Sequence, residues 1–549
     1  MISHRRDPGG WLVRWDSEVA AQAVAEGSWP NLTIVDFALE RTLADPHKIQ
    51  FADFDHELSR AQLIDRARRL ADYFLSIGLK AGDVVSFQLP NCWEAVAISL
   101  AAAMTGLVVN PIVPINRDSE VGHILNDASA RVMIVPAHFR SFDYVSMMAR
   151  IRGAVPSLKA ILVTGKPMED CPFDLFDDVL EKAKPLIQPL AVDPDAVKLL
   201  MYTSGTTGRP KGVLHSHNTL FADAFKMHDA LGLNSDDRIF CPSPITHVTG
   251  FLWLAQMPWY GDMLASTLRT WDVEASIALI QKYACSVMLG ATPFLQDLVT
   301  LAKQDGQQLQ TLRHYVCGGA AVPPTLIYNA ALQFPNCIPW RTFGATEVCT
   351  LTVGPSSRND LRFGAETDGR LSRVSTKLVG IHDGLEVGAG EEGELLVKAA
   401  SMSLGYANPA DNQEAYDEDG YFRMGDLGRI VEGEYFVCTG RKKDLIIRGG
   451  ENISAKEIED VLVRSPKILE AAVVSMPSKR TGEAICAFIV PADRATIDMK
   501  EIAGLISAEG LARQKTPEHV AIVAELPKTP AGKVRKDVLR VRAAEFGKV

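Results

Sequence analysis

Between residues 60 and 90 the chain places an amphipathic helix pattern directly before a buried strand, and the same alternation recurs for several hundred residues. Leu63, Ile64, Ala67, Leu70, Ala71, Phe74 and Leu75 repeat at helical spacing, and Gly82-Asp83 then leads into the compact run from Val84 to Leu89. Further apolar segments near 132–135, 160–163, 198–202 and 286–289 are separated by longer helical patterns. Strands buried on both faces need helices to cover them, so the pattern predicts a layered α/β fold. At 549 residues the chain exceeds what one core supports, which predicts at least two domains.

The uncharged run from Ala95 to Val109 is shorter than the roughly 20 residues of a membrane span and contains Gly106. It reads as a buried helix running into a buried strand, and no stable membrane insertion is expected. A net charge of −10 argues against a general affinity for nucleic acid or anionic lipid, so a polyanionic ligand has to be held by local donors. The nine cysteines are scattered, with no C-x-x-C pair and no zinc-like spacing. Arg5, Arg6 and Asp7 are not followed by an apolar stretch, and the expectation is a cytoplasmic protein with reduced thiols.

After about residue 385 the pattern changes to Gly-Glu signals and short β-rich runs, 393–397 and 434–437, which suggest a small antiparallel subdomain ending at Thr439-Gly440. Beyond Arg441-Lys442-Lys443-Asp444 come a helical pattern at 455–463 and strand-like runs at 471–475 and 484–490. The expected division is 1–440 and 441–549, the second part being of a size at which domains stand alone.

The clearest chemical signal is the string from Tyr202 through Thr203, Ser204, Gly205, Thr206, Thr207, Gly208, Arg209, Pro210 and Lys211 to Gly212, directly after the apolar strand 197–201. Its glycines let the backbone approach a ligand, its hydroxyls and amides donate to oxyanions, and Lys211 adds a charge. It is not a Walker A loop, because Pro210 stands where that pattern has its second glycine.

The string resembles the signature loop of the adenylate-forming superfamily, and further motifs of that family follow in order along nearly the whole chain. Pro244-Ile245-Thr246-His247 looks like its P-x-x-H segment beside the acyl pocket. Gly318-Gly319-Ala320 resembles the segment that approaches adenine and the acyl group. Thr342 and then Phe343-Gly344-Ala345-Thr346-Glu347 are similar to the adenine-stacking and Mg²⁺ segment, with Phe for the usual Tyr. Gly425-Asp426-Leu427 matches the ribose-binding element, and 441–453 the interdomain motif. Pro527 to Val534 resembles the loop that carries the adenylation lysine.

The resemblance implies an α/β enzyme with a large N-terminal domain of several subdomains and a small, mobile α+β C-terminal domain. It assigns adenylation to Lys533, with Thr346 on the α-phosphate, Glu347 on Mg²⁺ and Lys211 at the phosphates. Residues 203–208, Gly318, Gly319, Ala320, Thr342, Phe343, Gly344, Asp426 and Arg441 would bind ATP or AMP. His247, Val248 and Phe251 would line the acyl pocket. Lys443 would be the hinge, with Arg448, Gly449 and Gly450 serving the thiol step.

The expected reaction joins a carboxylic acid to coenzyme A at the expense of ATP. Carboxylate attack on the α-phosphorus expels pyrophosphate, and a thiol then takes the acyl group from the adenylate. The pattern looks closest to ligases of the cyclohexanecarboxylate type and to related medium-chain or aryl-acid ligases, and Val248, where hydroxybenzoate-adenylating relatives carry Asn, favours an apolar acid. The alternatives are an enzyme that loads a carrier-protein thiol and a non-catalytic nucleotide-binding protein of the same fold. The sequence allows a homodimer and does not fix the oligomeric state.

Overall fold

The computed structural model describes residues 2–167, 171–203, 209–319, 322–381, 383–448, 451–492, 495–529 and 532–546. The chain divides into two compact units, Met1–Ser375 with Lys398–Tyr421, and Thr376–Val397 with Phe422–Val549. The expected boundary at 440 falls inside the second unit.

Two seven-stranded sheets organise the first unit. One runs in the order Asp174–Leu175, Ala160–Thr164, Val132–Pro136, Val84–Phe87, Val108–Pro111, Val197–Thr203, Lys211–Ser216, with only the last pairing antiparallel. The other runs Ile338–Arg341, His314–Cys317, Val287–Gly290, Arg238–Phe240, Leu264–Ser266, Ile49–Ala52, Glu57–Ser59, again parallel until its final pair. Apolar residues of both sheets belong to one core, which also takes in helices Arg60–Ser76, Trp93–Thr105 and His217–Ala230.

These elements form where the sequence signals them. Ser59 caps helix Arg60–Ser76 and Ser216 caps His217–Ala230, each hydroxyl accepting from the amide three residues on. The 95–109 run is the helix Trp93–Thr105, buried on every side, followed by strand Val108–Pro111. Gly106 separates the two at φ +68°, the left-handed conformation that ends helices. No helix among the described residues is long and apolar enough to cross a membrane.

The second unit contains the expected antiparallel subdomain, strands Val374–Val379, Gly393–Ala399, Phe422–Val431 and Tyr435–Arg441 in that spatial order. A further sheet pairs Glu451–Ser454, Leu445–Arg448, Gly482–Pro491 and Ile468–Ser478, with His519–Ile522 joining Gly482–Pro491 in parallel. Helices Ala455–Leu462 and Met499–Ala508 bury apolar faces in one core and Lys536–Phe546 in another.

Candidate active site

In the first unit the site grows from strand ends. Strands Val197–Thr203 and Lys211–Ser216 form a hairpin in which Thr203 lies opposite Lys211. Ser204, Gly205, Thr206, Thr207 and Gly208, the expected phosphate cradle, lie outside the described residues, as do Ala320, Gly449 and Gly450. The hairpin fixes where that segment leaves and rejoins the sheet. Lys211 Nζ is 3.3 Å from Asp411 Oδ1 and 5.1 Å from the centre of the Tyr406 ring.

Residues 404–407 run alongside the second hairpin strand, with Leu404 and Leu214 bonded through their backbones and Ala407 N–H donating to Gly212 O. This places Tyr406 so that its hydroxyl donates to Glu347 Oε1 at 2.7 Å. Burial, and then the Glu347 charge, push the phenol far above its ordinary range, so it remains a donor. Tyr406 therefore joins a cation of the phosphate hairpin to the carboxylate expected to hold Mg²⁺.

Gly318 and Thr342 emerge side by side at the carboxyl ends of adjacent parallel strands, where open α/β sheets bind ligands. Thr342 N–H donates to Cys317 O at 2.9 Å, and a Cβ on Gly318 would come within 2.6 Å of the Thr342 methyl. The turn that follows closes on itself. Leu351 N–H donates to Phe343 O at 2.8 Å, and a Cβ on Gly344 would lie 2.0 Å from Cys349 O, so only glycine fits there.

Thr346 and Glu347 sit half-buried on this turn. His215 Nε2 donates to Thr346 O at 2.7 Å, while Nδ1 accepts from the Thr219 hydroxyl at 3.1 Å. Desolvation pulls the His215 pKa down to about 4, so the ring is neutral and its tautomer is set by these partners. Ser403 N–H donates to Glu347 O at 2.7 Å.

His247 is the N-cap residue of a short helix, Val248–Phe251, that passes into a π-helical stretch, Leu252–Gln256. Val248 and Phe251 are both buried. Behind them Lys198 Nζ is 5.8 Å from the Phe251 ring and lacks a hydrogen-bond partner among the described residues. Burial holds that amine well below the usual lysine range.

In the second unit Asp426 and Arg441 are cross-strand partners. The guanidinium grips the carboxylate by two bonds, Nε to Oδ1 at 2.9 Å and Nη2 to Oδ2 at 3.2 Å. Burial opposes the Arg441 charge, but Asp426 outweighs it and raises the pKa. Lys443 lies in a single 3-10 turn, Lys442–Asp444. Burial, followed by the nearby Arg441 charge, lowers its pKa. Arg540, on helix Lys536–Phe546, donates to Lys443 O at 3.3 Å and to the Asp444 carboxylate.

Arg448 ends its strand and donates to Glu518 Oε1 at 2.6 Å. Lys533 is exposed on a tight turn, where Thr529 N–H donates to Lys533 O at 2.7 Å and Lys533 N–H to Thr529 Oγ1 at 3.1 Å.

Sequence reasoning missed Tyr406, Asp411 and His215, and only His215 left a sequence signal: a histidine beside Val213 and Leu214 in a strand that is buried.

The AMP-binding enzyme family profile matches residues 39–407, and that of the AMP-binding enzyme C-terminal domain matches 457–533. The chain belongs to this family, and its class is that of the AMP-forming acid–thiol ligases. It is 31% identical over 519 residues to a medium-chain fatty-acid–CoA ligase of Escherichia coli, covering 94% of this chain and 91% of that one. It is also 31% identical to a sulfoacetate–CoA ligase of Cupriavidus necator, over 95% and 97% of the two chains. ATP-bound MatB from Rhodopseudomonas palustris superposes with a TM-score of 0.82 at 26% identity, covering 94% of this chain and all of the other.

Proposed function

We propose that this ligase couples an apolar cyclic or medium-chain carboxylic acid to coenzyme A, through an acyl-adenylate. The observation that carries the reading is Tyr406, which links Lys211 on the phosphate hairpin to Glu347 on the Thr346–Glu347 turn. Such a link brings together a cation and a carboxylate, the two kinds of charge that a metal-bound polyphosphate calls for, and so supports the reading.

A carboxylate is a poor acyl donor because its leaving group would be oxide. In the first step its oxygen attacks the α-phosphorus and the bond to pyrophosphate breaks. Lys211 and Lys533 offset the growing negative charge, with the Thr346 hydroxyl at the α-phosphate. The Glu347 carboxylate is a hard oxygen donor of the kind Mg²⁺ prefers, and Tyr406 orients it. Bound there, the ion supplies charge neutralisation to the phosphates. Asp426 accepts from the ribose hydroxyls, and Arg441 fixes its orientation. In the second step the thiolate attacks the acyl carbonyl carbon and AMP departs.

A lysine over the α-phosphate would obstruct that thiolate. We assign residues 1–440 and 441–549 as the two moving parts, with Lys443 as the turning point. Val248 and Phe251 favour an apolar acyl group, whereas the named acids of the relatives range from fatty acids to sulfoacetate.

The test is acid-dependent pyrophosphate release with ATP and Mg²⁺ across cyclic, aromatic, straight-chain and anionic acids, with and without coenzyme A. Formation of AMP and acyl-CoA with the apolar acids supports the reading. Release without transfer to coenzyme A points to a carrier-protein thiol, and silence across the panel overturns the ligase reading.

A further inference from the structure

Helix His217–Ala230 carries two charges into the core. Asp223 and Lys226, three positions apart and therefore neighbours on the helix surface, are both almost wholly inaccessible to solvent. Their Nζ–Oδ1 separation is 3.2 Å. Besides each other, they share one residue. Thr350 donates its N–H to Asp223 Oδ1 at 2.9 Å and its hydroxyl to Oδ2 at 3.1 Å, while its carbonyl accepts from Lys226 Nζ.

Thr350 belongs to no strand. Its two backbone groups still need partners in a half-buried setting, and this carboxylate and ammonium supply what a neighbouring strand would give elsewhere. A buried ion pair is seldom the most stable filling for its volume. The placement of Thr350 is thus the effect that accounts for the pair.

That placement propagates. The turn is closed by the bond from Leu351 to Phe343 and by the contact of Gly344 with Cys349 O, so its residues cannot shift independently. His215 and the Ser403 amide hold the Thr346 and Glu347 carbonyls, and Asp223 with Lys226 hold the far side of the same turn.

We propose that Asp223 and Lys226 form a positioning pair that sets the turn bearing Thr346 and Glu347 for adenylate formation. The inference rests on the reading of those two residues as facing phosphate and Mg²⁺.

The test compares the full-length enzyme with two double variants. Asp223→Leu/Lys226→Met removes both charges together, which spares the fold an unpaired buried ion. Asp223→Asn/Lys226→Gln keeps a neutral acceptor and donor for Thr350. Acid-dependent pyrophosphate release, thioester formation from preformed adenylate, the Mg²⁺ requirement, MgATP affinity by calorimetry and thermal unfolding are measured for each.

The apolar pair is expected to stay folded yet to lose between about tenfold and about a hundredfold in adenylation kcat, because misplacement by about 1 Å has that scale of effect. Its Mg²⁺ requirement rises and its MgATP affinity falls, while KM for the acid and the thioester step stay near wild type. The Asn/Gln pair recovers most of the loss. An apolar pair that adenylates as fast as wild type overturns the inference, and so does a loss of both half-reactions in step with the melting temperature. A wild-type enzyme that releases no pyrophosphate overturns the ligase reading and this inference together, so the two failures are told apart.

Discussion

The Tyr406 hydroxyl donates a 2.7 Å hydrogen bond to Oε1 of Glu347, a residue 59 positions earlier in the chain. The bond orients the Glu347 carboxylate. Hydrogen bonds to charged groups contribute about 1.5–3 kcal/mol. Tyr406→Phe is expected to lower adenylation by about tenfold and to raise the Mg²⁺ concentration needed for half-activity, with KM for the acid unchanged. A variant with wild-type Mg²⁺ dependence would remove Glu347 from the metal role.

Lys533 and Lys443 should separate the two half-reactions. Lys533→Ala is expected to lose about a hundredfold or more in adenylate formation, the scale for removing one group that stabilises transition-state charge. It should still convert preformed adenylate to thioester. Lys443→Pro fixes φ near −65° and should show the reverse pattern. Rapid-quench assays of each half-reaction check this, and equal losses in both steps count against alternation of the C-terminal part.

Asp426→Asn keeps the shape of the proposed ribose acceptor but loses the charge that Arg441 grips with two bonds. KM for ATP should rise by about tenfold, with KM for the acid little changed. Isothermal titration with AMP reads the same loss without turnover.

His215 makes stability sensitive to acid. Its folded pKa of about 4 lies below the ordinary value of about 6.5, so the unfolded chain binds the extra proton first. The stabilisation is complete above pH ~6.5 and is lost as pH falls towards ~4, amounting to about 2 kcal/mol by pH ~5. His215→Gln should show a smaller drop in melting temperature between those pH values than wild type. Some drop remains, because burial lowers the His217 pKa too.

The alternation of helix and strand was legible because each element announces itself locally. Arg60–Ser76 has its apolar stripe and its Ser59 cap, and the 95–109 run is too short to span a membrane yet uniformly apolar, as a helix buried all round must be. The motif residues were singled out by their resemblance to a family, and of them Thr203 and Lys211 lie on one hairpin and Gly318 and Thr342 at neighbouring strand ends. What joins these segments was not legible. Tyr406 meets Glu347, and Asp223 meets Thr350, through pairings between distant parts of the chain, and no period or spacing encodes them. The Asp426–Arg441 fork was half legible. Both residues were singled out as ribose ligands, but their contact with each other depends on the register of two antiparallel strands.

Arg540 holds the Lys443 carbonyl and the Asp444 carboxylate from the same helix that begins three residues after Lys533. The peptide plane after Lys443 is therefore tied to the helix that follows Lys533, the lysine proposed for adenylation. If the chain turns at Lys443 as proposed, the swivel is left with two torsions, those of Lys443 itself. Allowed φ/ψ space consists of separate islands rather than a continuum. A joint of this kind clicks between a few settings instead of drifting, and the angle of each setting is written in the stereochemistry of one L-amino acid.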